Sequence, residues 1–476
     1  MRETKISELL RKLPASEFKK FGEFLNSPIH NKSKKNILLY NYFRQFYPNL
    51  NESHFNINNI SRYIYQKSYG KEQNIRTLLS NFTDLMEIFI ELSELENRPH
   101  IKNLLQIDSY YKRNMIKLFS LKSGEILRNN QTEFNKDIEF YFYDFMVNAV
   151  TNHHLGEDLD RDMDNDYFRL SEKADMLYIL SKIKIANTIL SRKMTPDKVY
   201  KNLWSIDSII NYIETNIENI KGNHPVIFAE YNILMMMVLP QNEHYFNSLK
   251  DYAFENINKF KYEELTQMYY SLTNYCVNRI SVGEDKYLTN LYTIHRKFEK
   301  AGFYMKNTKL HYIDFLAVII CGININNVNW SKYFFDKYKN HIAPVFKEDT
   351  IALAQATISF AEKKYEVVTE HISKLSYRYS YFYLKAKEML IKTYYETGEI
   401  NLMLLCIDAT KQYLKRHKEM LSYHYDRFMQ FLNYSAKLVK LQDMNQTDIR
   451  FMLKKLDEDR DTIARQWLMD KIIELK

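Results

Sequence analysis

Glycine and proline are scarce, with 9 Gly and 8 Pro among 476 residues, where average usage of about 7% and 5% would supply several times as many. Both residues punctuate tight turns and hairpins, so their scarcity excludes a fold rich in short strands and leaves long helices joined by ordinary turns. The spacing of the glycines excludes more. The nearest two, Gly283 and Gly302, stand 19 positions apart, whereas a P-loop needs two glycines five positions apart and a dinucleotide fingerprint three within six. Backbone then has no Cβ-free path around a phosphate, and the GxSxG nucleophile elbow is missing as well. No cofactor is expected.

Cysteine is also rare. Cys276, Cys321 and Cys406 are separated by 45 and 85 residues, which rules out a CxxC pair for zinc or redox chemistry. Each lies in an apolar stretch, as in Phe315 to Cys321, where a free thiol behaves as a small buried hydrophobe and a reducing compartment suits it best. Long hydrophobic runs are lacking too. The longest, Ile233 to Leu239 and Phe315 to Ile323, fall well short of the roughly 18 residues a membrane span needs. Residues 1–13 lack the apolar core of a signal peptide, so a cytoplasmic location is expected.

No metal site is expected either. The 13 His include no HExxH. His153 and His154 are adjacent and diverge on a helix, and His417 and His424 would lie about 10.5 Å apart along one, too far for a shared zinc. The alternating acids Asp158, Asp160, Asp162, Asp164 and Asp166 fail as a calcium loop in both registers. From Asp158 the turn glycine and final glutamate are replaced by Met163 and Arg169, and from Asp160 by Asn165 and Ser171. A polar connection into the following helix is the expected role.

What is present is helical pattern. Phe18, Phe21 and Leu25 recur at helical spacing behind Ser16 and Glu17, and Pro196, Pro225 and Pro344 occupy expected first positions of helices. From about residue 137 the chain reads as paired helical segments in succession, the signature of an α-solenoid of antiparallel helical hairpins. The domain expectation is an N-terminal helical subdomain over 1–135, a helical-repeat solenoid over 136–446 and C-terminal capping helices over 447–476.

Within 351–416 the turns Lys363-Lys364-Tyr365 and Gly398-Glu399-Ile400 lie 35 residues apart, each after a helix ending in aromatics. Leu390, Tyr394 and Gly398 occupy large and turn positions and Ala356 a small one, and the unit resembles a tetratricopeptide repeat. Ile391 and Met403 depart from the small residues usual at their places. The stretches FLNSPIHNKSKKN (24–36), KADMLYILSKIKIANTILSRK (173–193) and ARQWLMDKI (464–472) are similar to bacterial helical-repeat proteins. That similarity implies a fold and no activity.

Charge balance is modest, with 67 basic and 59 acidic residues giving +8. Residues 1–50 hold 10 Lys/Arg against 4 Asp/Glu. Lys32, Lys34 and Lys35 form the densest basic cluster and a candidate anion-binding patch, with Tyr40, Tyr42, Phe43 and Phe46 near them. The tyrosine-rich segments nominate Tyr379, Tyr383 and Tyr394 as partner-binding aromatics. The runs at 140–145, 235–237 and 377–383 are expected mainly in the core, with the lining of a peptide groove as the alternative. The expected function is a non-enzymatic scaffold that binds a protein or peptide. A nucleic-acid-associated regulator using the basic N-terminal region is the alternative.

Overall fold

The computed structural model describes residues 4–65, 72–155, 163–192, 196, 203–306, 309–418, 422–441, 446–459 and 462–475. Among these the fold is all-α, with 25 α-helices, two short 3-10 segments and one isolated bridge between Leu310 and Ile342. The Thr195-Pro196-Asp197 helix start lies outside the described residues except for Pro196, as do Asp158, Asp160 and Asp162. The chain divides into two compact units, residues 1–133 with 139–177, and residues 134–138 with 178–476.

The first unit contains α1 (Lys5–Lys12), α2 (Ala15–Leu25), α3 (Lys34–Arg44), α4 (Ile57–Tyr65), α5 (Glu72–Asn97), α6 (Pro99–Lys112), α7 (Ile116–Thr132), nearly all of α8 (Ile138–Leu155) and the start of α9 (Met163–Ser191). Its core forms where α5 buries Ile75, Leu78, Phe82, Leu85, Met86 and Phe89 at three- and four-residue spacing. Phe21 meets Phe82 edge-on at 5.3 Å and Phe89 at 5.4 Å. Gly22 admits the Tyr40 ring to within 2.7 Å or less of where a Cβ would sit, so α2 and α3 approach closely. In the same unit Asp144 is buried, and Lys173 Nζ at 2.9 Å and the Asn130 amide at 2.8 Å compensate its charge.

The second unit holds the rest of α9, then α10 (Ile206–Thr215), α11 (Ile217–Asn223), α12 (Pro225–Val238), α13 (Glu243–Glu255), α14 (Tyr262–Ser281), α15 (Lys286–Lys300), α16 (Phe303–Lys306), α17 (Tyr312–Asn324), α18 (Val328–Tyr338), α19 (Pro344–Ala361), α20 (Tyr365–Ser373), α21 (Ser380–Glu396), α22 (Ile400–Arg416), α23 (Ser422–Leu441), α24 (Gln446–Glu458) and α25 (Arg465–Glu474). Pro225 and Pro344 open their helices at the first turn, where a missing N–H costs nothing. Most helices from α10 onward pack on their immediate neighbours, and α12, α15, α17 and α19 also pack on α14, α17, α19 and α21 respectively. The apolar α12 is buried on all sides as far as Met236. The three cysteines are buried, and burial pushes the Cys276 and Cys321 thiols up to about 12.

One closing turn recurs in this unit. After α14, α17, α19 and α21 a residue with positive φ stands at Gly283 (92°), Asn326 (60°), Lys363 (60°) and Gly398 (74°). In each case its N–H donates to the carbonyl three residues back, and the next N–H donates to the carbonyl five residues back, at 2.8–3.2 Å. This is the Schellman arrangement, which satisfies the last carbonyls of a helix and turns the chain sharply. Nothing lies within 4 Å of where a Cβ at Gly398 would sit, so Gly398→Ala tests the backbone conformation alone. It is expected to lower stability by about 1 kcal/mol, read from the urea midpoint, and Lys363→Gly is expected to raise it.

Candidate functional site

Glu230 is the one acidic residue in the apolar segment of α12, and it is 2% exposed. A buried carboxylate needs compensation, and two neighbouring helices supply it. From α9 the Asn187 amide donates to Glu230 Oε2 at 2.7 Å and to its backbone carbonyl at 3.0 Å, and Lys184 Nζ lies 3.2 Å from Oε1. From α14 the Gln267 amide donates to Oε2 at 2.8 Å. Lys184 is also 3.8 Å from Glu264 Oε1. Burial raises the pKa of Glu230, with Lys184 and Asn187 opposing it and Glu264 adding to it.

Above this network lies a groove of about 890 Å³ bordered by α9, α12 and α14. Leu190, Ile233, Met236, Met237 and Tyr275 supply apolar surface. Gln267, Ser271, Asn274 and Asn278 supply a polar row from α14. Their spacing of four, three and four keeps them on one helical face. Asn274 and Asn278 are exposed, and among the described residues their side-chain amides have no hydrogen-bond partner. Tyr270 borders the groove and donates to Asp314 Oδ2 at 2.6 Å. Arg279 stands at its edge, held by Gln241 Oε1 at 2.6 Å and Glu284 Oε1 at 2.5 Å. A surface of this kind can hold an extended chain. Each free amide offers both a donor and an acceptor to a peptide backbone, and the apolar floor takes side chains.

No protein-family profile, curated protein or solved structure matches this chain. Its functional reading therefore rests on its own geometry. Among the described residues no group of three or more His, Cys, Asp or Glu is placed to hold a metal ion, and no helix is long and apolar enough to cross a membrane. His417 Nδ1 lies 2.9 Å from the Tyr413 carbonyl, while the side chains of His154 and His424 lie outside the described set.

The residues nominated from sequence lie elsewhere than the groove. Lys32, Lys34 and Lys35 are exposed at the start of α3, and Lys35 Nζ sits 4.7 Å over the Tyr65 ring. A separate cavity of about 450 Å³ between α2 and α3 is lined by Lys19, Arg44, Tyr40 and Tyr47 and includes none of the three. Tyr379, Tyr383 and Tyr394 are half-buried. Tyr379 packs on Phe346 at 4.9 Å, Tyr383 on Tyr413 at 4.0 Å, and Tyr394 against the α21–α25 core. Sequence reasoning missed Asn187, Glu230, Gln267, Asn274 and Asn278. A signal for Glu230 was present, because a lone charge inside an apolar helix demands partners. The Asn274–Asn278 spacing was legible too, but it acquires meaning only where a groove lies beside it.

Proposed function

We propose that this chain is a tetratricopeptide-like helical-repeat protein of the α-solenoid type that binds an extended peptide segment of another protein, without catalysing a reaction. The row Gln267, Ser271, Asn274 and Asn278 beside the groove carries this reading. Free amides at one-turn intervals hydrogen-bond a peptide backbone without regard to its sequence, while the neighbouring apolar surface adds affinity. The recurring Schellman turns and the packing of helices on their next-but-one neighbours support the repeat architecture.

Capped peptides of about ten residues, randomised in sequence and screened against the full chain, test the proposal. Selected peptides are expected to lose roughly three- to tenfold in affinity with Asn274→Ala and again with Asn278→Ala, from the net worth of a hydrogen bond. Both positions are exposed, so the variants should keep the parent stability. Undiminished binding to the double variant would sink the assignment to this groove. The alternative, nucleic-acid contact through Lys32, Lys34 and Lys35, predicts affinity that climbs steeply as salt falls.

A further inference from the structure

The buried polar network that reaches the groove through Asn187 and Gln267 is short of donors. Glu230 and Glu264 are 2% and 8% exposed and share a single cation, Lys184. Two buried carboxylates with one ammonium between them can both stay charged only at a cost, and a second cation would remove that cost. Arg279 does not supply it, because Glu284 and Gln241 already engage its guanidinium. A second observation points the same way. Asn187, which lines the groove and is 4% exposed, spends its amide nitrogen on Glu230 and leaves its buried Oδ1 without a partner. Glu264 Oε2 is likewise buried and unpaired. Both unmatched atoms are acceptors, so the missing group is a donor, and two carboxylates that share one lysine favour a cationic donor.

We infer that the groove recognises a lysine or arginine side chain of its peptide, whose cationic head reaches Asn187 Oδ1 and the Glu230–Glu264 pair while its aliphatic stem lies along Met236 and Met237. This rests on the peptide-binding reading above and adds the partner's chemistry to it. Ammonium and guanidinium groups each carry several donors on a long apolar stem, matching unmatched acceptors that lie beneath an apolar surface. Acidic and neutral peptides bring no compensating charge.

The test uses capped peptides of about ten residues, randomised except for a central Lys, Arg, acetyl-lysine or norleucine, measured against the unaltered full chain. The Lys and Arg series are expected to bind, and acetylation or replacement by norleucine to weaken binding about tenfold or more. Glu264→Gln, checked for an unchanged unfolding midpoint, is expected to erase most of the preference for Lys over norleucine. Equal binding of the Lys and norleucine series would overturn the charge recognition while leaving peptide binding in place. Failure of all four series to bind would overturn both.

Discussion

Phe334→Ala is expected to destabilise the second unit by about 3–5 kcal/mol, the range for deleting a fully buried aromatic ring. Phe334 is 0% exposed and joins α18 to α16 through Tyr304 at 5.2 Å and to α17 through Phe315 at 5.8 Å, with Tyr338 at 4.5 Å and Trp330 at 6.0 Å on its own helix. The loss would spread. The Tyr304 hydroxyl belongs to a buried triangle with Tyr269 at 3.0 Å and His295 Nδ1 at 3.2 Å, and burial holds the His295 imidazole neutral by lowering its pKa to about 3. Removing the ring that braces Tyr304 loosens a network whose polar groups have no water to turn to. Urea unfolding followed by far-ultraviolet circular dichroism measures the effect, and Phe334→Leu should cost clearly less because it retains most of the volume. A loss below about 1 kcal/mol for the alanine variant would mean that the aromatic cluster repacks freely around the gap.

Glu388→Ala is expected to cost about 3 kcal/mol near neutral pH, because it strands two lysines beside a buried site. Glu388 is 8% exposed, and its two carboxylate oxygens accept from Lys385 Nζ and Lys392 Nζ, both at 2.8 Å, one turn away on either side. Burial alone would raise its pKa, but the two ammonium groups outweigh burial and bring the carboxyl down to about 2 from an ordinary 4.5. The folded state therefore holds the charged form more tightly than the unfolded state does. That stabilisation is fully present above pH 4.5 and is lost as pH falls towards 2. The stability gap between the parent protein and Glu388→Ala should thus close over this interval, at up to about 1.4 kcal/mol per pH unit. A gap that stays constant from pH 6 to pH 3 would assign the whole cost to lost packing instead of charge.

Local structure was more legible than the site. Gly398 announces its turn, because glycine is the usual residue in the left-handed position that closes a helix. Asn326 and Lys363 adopt the same φ of 60° in the same hydrogen-bonded turn, but asparagine signals it weakly and lysine not at all. The backbone geometry recurs where residue identity does not. Tyr379, Tyr383 and Tyr394 illustrate the converse. As sequence they resemble one aromatic surface, yet they are half-buried against Phe346, Tyr413 and the α21–α25 core, since a tyrosine at helical spacing serves a core edge as well as a binding face.

The sequence by itself determined that this chain is helical and lacks the Gly-rich motifs that cradle phosphates. Both follow from properties that act over a few residues, namely the scarcity and spacing of glycine and proline and the three- and four-residue recurrence of apolar side chains. Only the tertiary structure decided which distant side chains meet. Asn187, Glu230 and Gln267 are spread over about 80 residues of chain and sit on three helices. They become one site because packing α9 and α14 against α12 buries a carboxylate that has to find its donors across helix boundaries. That requirement arises from desolvation, and desolvation is set by which helices meet, a property no local window of sequence contains.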